Sequence, residues 1–180
     1  MAKSTKKIMN SRDMDRALNR MALQIMEHNT GVKDIALVGI HTGGVFLADR
    51  LQKIIKAREK VELPVGSLDI TLYRDDWSLA CQSPLVKKTD INFAVEGFTL
   101  VLVDDVIFTG RTIRAALDAI MDFGRPCFIQ LAALIDRGGR ELPIRPDFTG
   151  MEITVSPNEH VHVLLEEISG KNEVVLEQYA

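Results

Sequence analysis

Apolar positions along this chain recur at helical spacing in some segments and form short uninterrupted runs in others, and the two patterns alternate. Met14, Leu18, Met21 and Ile25 fall on one stripe, which predicts an amphipathic helix running to about Asn29, with Asn10 or Ser11 as its cap. The methionines on that stripe read as core filling. Residues 35–40 predict a strand, His41-Thr42-Gly43-Gly44 a turn, and Leu47, Leu51 and Ile54 or Ile55 a second helix. A further strand is expected over residues 65–73. Residues 74 to about 90 are polar and weakly periodic, and so long a loop in a compact domain is usually functional. Residues 99–103 lack polar alternation, the mark of a parallel strand covered on both faces. A helix is expected from Arg111 to Phe123, ended by Gly124 and Pro126, and then a strand over 128–135. From Pro143 onward short strands are expected at 152–155, 161–166 and 174–176, while the Lys-rich N-terminus is expected to fray.

Strand, glycine-containing turn and helix in repetition imply the α/β class, with a mainly parallel sheet and helices on both of its faces. In such a sheet ligands collect beyond the carboxyl ends of the strands, where the segments 41–44, 104–112 and 136–140 all lie. The 180 residues suffice for one domain with a full core. No apolar run is long enough to span a membrane, and Lys3, Lys6 and Lys7 are not followed by the apolar stretch of a secretory signal, so a cytoplasmic protein is expected. Cys81 and Cys127 are too few and too far apart for a metal site, and His28, His41, His160 and His162 have no zinc spacing. The net charge of −3 argues against non-specific nucleic-acid binding but leaves room for a local basic patch.

The densest chemistry follows the run Leu100-Val101-Leu102-Val103, which ends in Asp104 and Asp105 and passes through Val106-Ile107-Phe108 to Thr109-Gly110-Arg111-Thr112. Gly110 lets the backbone approach a ligand, and Thr109 and Thr112 carry hydroxyls that can donate to phosphate oxygens. The next helix adds unpaired N–H groups and the positive end of its dipole. Asp104 and Asp105 stand at the mouth of this cradle as acceptor-only groups, suited to two vicinal ribose hydroxyls or to the water shell of a Mg²⁺. A carboxylate after an apolar strand also marks nucleoside triphosphatases. That reading needs a G-x-x-x-x-G-K-[ST] loop, which is absent, as is G-x-G-x-x-G.

Strand, Asp-Asp, short apolar link and Thr-Gly-Arg-Thr closely match the phosphoribosyl-pyrophosphate (PRPP) motif of the type I phosphoribosyltransferase family. With Asp69-Ile70-Thr71-Leu72-Tyr73-Arg74-Asp75-Asp76, Gly124-Arg125-Pro126 and the run from Asp136-Arg137-Gly138-Gly139-Arg140 to Arg145, the chain resembles the PyrR family of pyrimidine operon attenuation regulators, which are also uracil phosphoribosyltransferases. The resemblance covers nearly the whole chain. It implies the type I phosphoribosyltransferase fold as a single domain over 1–180, with a flexible lid loop over 74–90 that carries Arg74 and a small hood over 136–160. It implies conversion of uracil and PRPP to UMP and diphosphate, with Mg²⁺ brought by PRPP to the neighbourhood of Asp104 and Asp105 rather than held by a dedicated set of protein ligands. Thr109, Gly110, Arg111 and Thr112 would hold the 5′-phosphate, Asp104 and Asp105 the ribose hydroxyls and the metal, and Thr42, Gly43 and Gly44 the pyrophosphate through backbone N–H groups. Asp136 and Arg137 belong to the region that reads the base, and no residue stands out as a general base for uracil N1. The partners implied are PRPP, uracil, UMP, a leader mRNA hairpin contacted through Arg140 and Arg145, and further copies of the chain in a homo-oligomer.

The chain departs from the family pattern at several positions. The pyrophosphate loop, commonly Lys-Thr-Arg-Gly, is here His41-Thr42-Gly43-Gly44, and the hood turn has Gly139 where a His is common. Of the RNA-facing set, Arg140 and Arg145 match, whereas Asn19, Leu23 and Met151 replace a Thr, a His and a Lys. Each lost phosphate contact lowers salt-dependent affinity. The alternatives are an enzyme without RNA binding, or a phosphoribosyltransferase for another base such as hypoxanthine.

Overall fold

Successive side chains of the central strands turn to opposite faces of their sheet, and because both sets are apolar two cores form on one sheet. On one face Ile35 and Leu37 of β2 (Ile35–Ile40) join Val101 and Val103 of β4 (Thr99–Ile107). They pack with Met14, Leu18, Met21 and Ile25 of α1 (Ser11–His28) and with Leu47, Leu51 and Ile55 of α2 (Gly43–Glu59). The alternate residues Ala36, Val38, Leu100 and Leu102 meet Ile113, Ala116 and Ile120 of α3 (Arg111–Met121) on the other face.

The computed structural model describes residues 4–74 and 88–178. With β3 at Val65–Leu68, β5 at Phe128–Asp136 and β6 at Phe148–Glu152, five parallel strands lie in the order β3-β2-β4-β5-β6. The chain leaves β2 outward to β3 and returns past β2 to β4, so the direction of winding reverses between β2 and β4. Crevices for ligands open at such a switch point. A second, antiparallel sheet of order β1-β8-β7 joins the two ends of the chain, from β1 (Ser4–Met9), β7 (Glu159–Leu164) and β8 (Glu173–Gln178). No helix among the described residues is long and apolar enough to cross a membrane.

Local chemistry accounts for where the elements differ from the sequence pattern. The N-terminal stretch does not fray: β1 pairs with β8, Ser4 opposite Gln178, and Lys7 sits 2.6 Å from the carboxylate of the buried Glu173. The strand expected over 65–73 ends at Leu68. There the Asp69 carboxylate accepts the N–H and hydroxyl of Thr71 and bends the chain into a 3₁₀ turn at Thr71–Tyr73. The strand expected at 152–155 lies earlier, as β6, because its pairing with β5 runs from Ala132 opposite Phe148 to Asp136 opposite Glu152. Strand β7 stops before residue 166, where a short helix α4 (Glu166–Ser169) begins, and α3 ends at Met121 rather than Phe123. Residues 75–87, which include most of the expected lid with Asp75, Asp76 and Cys81, lie outside the described residues.

Candidate active site

Strand β4 does not stop at Val103 but continues through Ile107, so the acidic pair sits within a strand, and its two carboxyl groups lie within hydrogen-bonding reach of each other. Asp104 follows Leu100 and Leu102 toward α3 and is buried, 6% exposed. Its carboxylate accepts the N–H of Asp105 at 3.0 Å. Asp105 follows Val101 and Val103 toward the start of α2 and accepts the N–H of Val106 at 2.8 Å. Burial in this low-dielectric mouth raises Asp104 well above the usual carboxylate range, and the neighbouring charge of Asp105 adds to the effect. Burial raises Asp105 as well, opposed by the N–H of Val106.

The turn after β2 lies directly on this pair. A methyl group at Gly43 would overlap the Asp105 carboxylate, and one at Gly44 would overlap the carbonyl of Val103. Only paired glycines allow so close an approach. Gly43 and Gly44 are also the first residues of α2, which has no side-chain cap, so the N-terminal N–H groups of a 17-residue helix open beside Asp105. His41, where the family commonly has Lys, places its Nε2 3.3 Å from the carbonyl of Lys88.

On the other side of β4, Gly110 at φ 93° is the N-cap of α3, and Thr109 accepts the N–H of Arg111 at 3.3 Å. A cavity of about 290 Å³ forms here, lined by Asp104, Thr109, Gly110, Arg111, Thr112 and, from across the opening, Arg74. The structure therefore brings together the acidic pair, the 109–112 loop, Arg74 and the 42–44 turn.

The turn after β5 folds over the same loop. The carbonyl of Thr109 accepts the N–H groups of Glu141 at 2.9 Å and Leu142 at 3.1 Å, and Arg111 pairs with Glu141 at 2.6 Å. The Arg137 guanidinium lies 3.9 Å over the Phe108 ring, with Gly139 against the ring edge, where a side chain of the His common at this position would collide. Arg137 also donates to the carbonyl of Glu159 at 3.3 Å, while its Nε is buried without a hydrogen-bond partner. Burial lowers the pKa of this guanidinium. Asp136 accepts the N–H of Gly138 at 2.9 Å and pairs with Arg140 at 2.6 Å.

Arg140, expected to face RNA, is half-buried: its guanidinium donates to the carbonyls of Ile144 at 2.8 Å and Phe108 at 2.9 Å as well as to Asp136. Arg145 is exposed and, with Arg140, Asp136, Thr149 and Glu152, borders a second cavity of about 650 Å³. Asn19 bonds to Asp15 and Arg58, Leu23 is exposed, and Met151 packs against the core that α1 shares. Phe108 and Glu141 are site-building residues that the sequence did not mark. Their partners lie about 30 residues away on another turn, and neither belongs to a residue pattern that signals chemistry.

The chain matches the phosphoribosyl transferase domain family over residues 4–167. It is 58% identical to the bifunctional protein PyrR of Thermoanaerobacter sp. (strain X514) over 169 residues, 94% of this chain and 95% of that one. The chain belongs to the PyrR branch of the phosphoribosyltransferase family. The PyrR of Syntrophobacter fumaroxidans is 53% identical over 173 residues, 96% of this chain and 93% of that one. Among solved structures, the hypoxanthine phosphoribosyltransferase of Trypanosoma cruzi superposes with a TM-score of 0.73 at 16% identity, over 97% of each chain. A hypoxanthine-guanine phosphoribosyltransferase of Bacillus anthracis gives 0.71 at 18%, over 98% of this chain and 99% of that one. Identities this low establish the fold alone, the type I phosphoribosyltransferase fold, and the PyrR relatives narrow the branch.

Proposed function

We propose that this protein transfers the phosphoribosyl group of PRPP to uracil, giving UMP and diphosphate, and that it also acts as a UMP-responsive RNA-binding attenuator of pyrimidine genes. The observation that carries the catalytic reading is the buried acidic pair of β4, flanked at the sheet's switch point by two helix N-termini. Neutral backbone donors there suit a substrate with a phosphate at one end and a pyrophosphate at the other.

In the transfer, the C1–oxygen bond to pyrophosphate breaks as uracil N1 bonds to C1, the N1 proton is released, and positive charge develops on the ribose ring. Thr109, Gly110, Arg111 and Thr112 hold the 5′-phosphate in the cavity below α3. Gly43 and Gly44 receive the pyrophosphate at the start of α2. The two acids divide their work by what each adjoins: Asp104 lines the 5′-phosphate cavity and Asp105 lies against the Gly43 turn, with the ribose hydroxyls held at the pair. Mg²⁺ supplies neutralisation of the leaving pyrophosphate when it is bound. Among the described residues no three His, Cys, Asp or Glu side chains converge as a metal site, and two carboxylates at one mouth fit an ion that arrives with PRPP. Arg74 helps to exclude water from the cation-like centre, and the 136–140 turn, with Arg137 braced on Phe108, shapes the seat of the base. The RNA surface centres on exposed Arg145, and Arg140 holds the turn beneath it.

The test is Mg²⁺-dependent product formation from PRPP by the purified protein. UMP formation from uracil should exceed product formation from hypoxanthine, guanine or orotate under the same conditions. Clearly higher specificity for a purine or for orotate would refute the assignment of the base.

A further inference from the structure

Arg74 lines the phosphate cavity from the last position before residue 75, and the backbone that presents it is fastened from outside the cavity. The Tyr73 hydroxyl donates to the carboxylate of Asp122, the C-cap of α3, and this bond is the main reason that the Tyr73 hydroxyl is held above its ordinary pKa. Arg114, one turn into the same helix, donates to the carbonyl of Tyr73 at 3.5 Å. On its other side, the 3₁₀ turn is fixed by the Asp69 carboxylate, whose own N–H is bonded to the Thr89 hydroxyl at 3.0 Å.

A carboxylate at a helix C-terminus faces the negative end of the helix dipole, so Asp122 does not serve the stability of α3. The N-terminus of that helix is the 5′-phosphate cradle. One rigid element thus carries the cradle at one end and the anchor of Arg74's neighbour at the other. We propose that Asp122 is a positioning residue for PRPP, acting through Tyr73 to fix Arg74 over the phosphate cavity. The inference rests on the PRPP-binding reading above and extends it to a residue at the far end of α3. Its chemical content is geometric: removal of the anchor leaves every group that touches substrate in place but lets Arg74 sample positions away from the cavity, at a cost in substrate binding.

The experiment compares Asp122→Ala, Asp122→Glu, Tyr73→Phe, Arg74→Ala and the Asp122→Ala/Arg74→Ala double variant. The readouts are KM for PRPP, kcat, and the Kd for PRPP with Mg²⁺ by calorimetry. Asp122→Ala and Tyr73→Phe should raise KM and Kd for PRPP about three- to tenfold, with kcat changed far less. Asp122→Glu, which keeps an acceptor for the Tyr73 hydroxyl, should retain most of the affinity, and in the Arg74→Ala background Asp122→Ala should add nothing further. Additive losses in the double variant, or an unchanged Kd in both Asp122→Ala and Tyr73→Phe, would overturn the proposal. Calorimetry separates the two claims: a wild-type protein that binds PRPP without making UMP refutes the proposed transfer reaction and still lets the Kd series decide the positioning role.

Discussion

At the scale of single residues, Asp104 and Asp105 share one mouth and bond to each other, yet each lies against a different loop. Asp104 is buried toward α3, with its pKa raised chiefly by burial, so the folded state holds a proton on it more tightly than the unfolded chain does. The sign follows: this site's contribution to stability is most favourable below the carboxyl's ordinary range and is lost as pH rises through the raised value. Asp104→Asn keeps the shape and an oxygen to accept the N–H of Asp105, and it cannot ionise. It should therefore raise the Tm of the ligand-free protein at neutral pH, an advantage that disappears toward pH 4, while kcat falls by about 10²-fold or more. Thermal melts across pH and a turnover assay check both halves, and a lowered Tm at neutral pH would contradict the assignment of burial as the cause.

At the scale of elements, α1 is the most self-explanatory piece of the chain. Asn10 accepts the N–H of Asp13 at 3.0 Å and Asp13 accepts that of Asn10 at 3.1 Å, a reciprocal box that satisfies two donors at the helix start. Asn10→Ala should cost about 1 kcal/mol, measurable by urea unfolding with an unchanged m-value. This cap, the stripe from Met14 to Ile25, the parallel core and the acidic pair with the glycine-containing loop that follows it were all legible in the sequence, because each is set by residues near one another along the chain. What was not legible depended on distant partners or on competition. Strand β1 looked like a solvated lysine tail because its apolar side shows only at Ile8 and Met9, and the strand that orders it lies at the other end of the chain. Strand β3 read as too long because a hydroxyl and a carboxylate, Thr71 and Asp69, compete for the backbone. Arg140 looked like a surface charge because nothing local reveals the carbonyls of Phe108 and Ile144 that take its donors.

At the scale of the whole molecule, a net charge of −3 means that any attraction for RNA must be local. The two hood arginines then make different predictions. Arg145→Ala should leave catalysis and Tm unchanged, weaken binding of the protein's own leader RNA, and reduce the salt slope by about one. Arg140→Ala should instead lower stability by roughly 2 kcal/mol, since Asp136 and two carbonyls lose their donor. Titration of the leader RNA against salt, with and without UMP, checks the first, and thermal or urea unfolding the second. RNA affinity indifferent to Arg145, or no better than for an unrelated hairpin, leaves the enzyme reading standing alone. The pairing of the first strand with the last has a further consequence, for biosynthesis. Strand β8 lies between β1 and β7, so the small sheet has no centre until β8 itself has been made. The five parallel strands span only residues 35–152 and can assemble while translation continues. Strand β1, made before every other strand of either sheet, waits longest for its partner, and the charge of Lys6 and Lys7 keeps that waiting edge soluble.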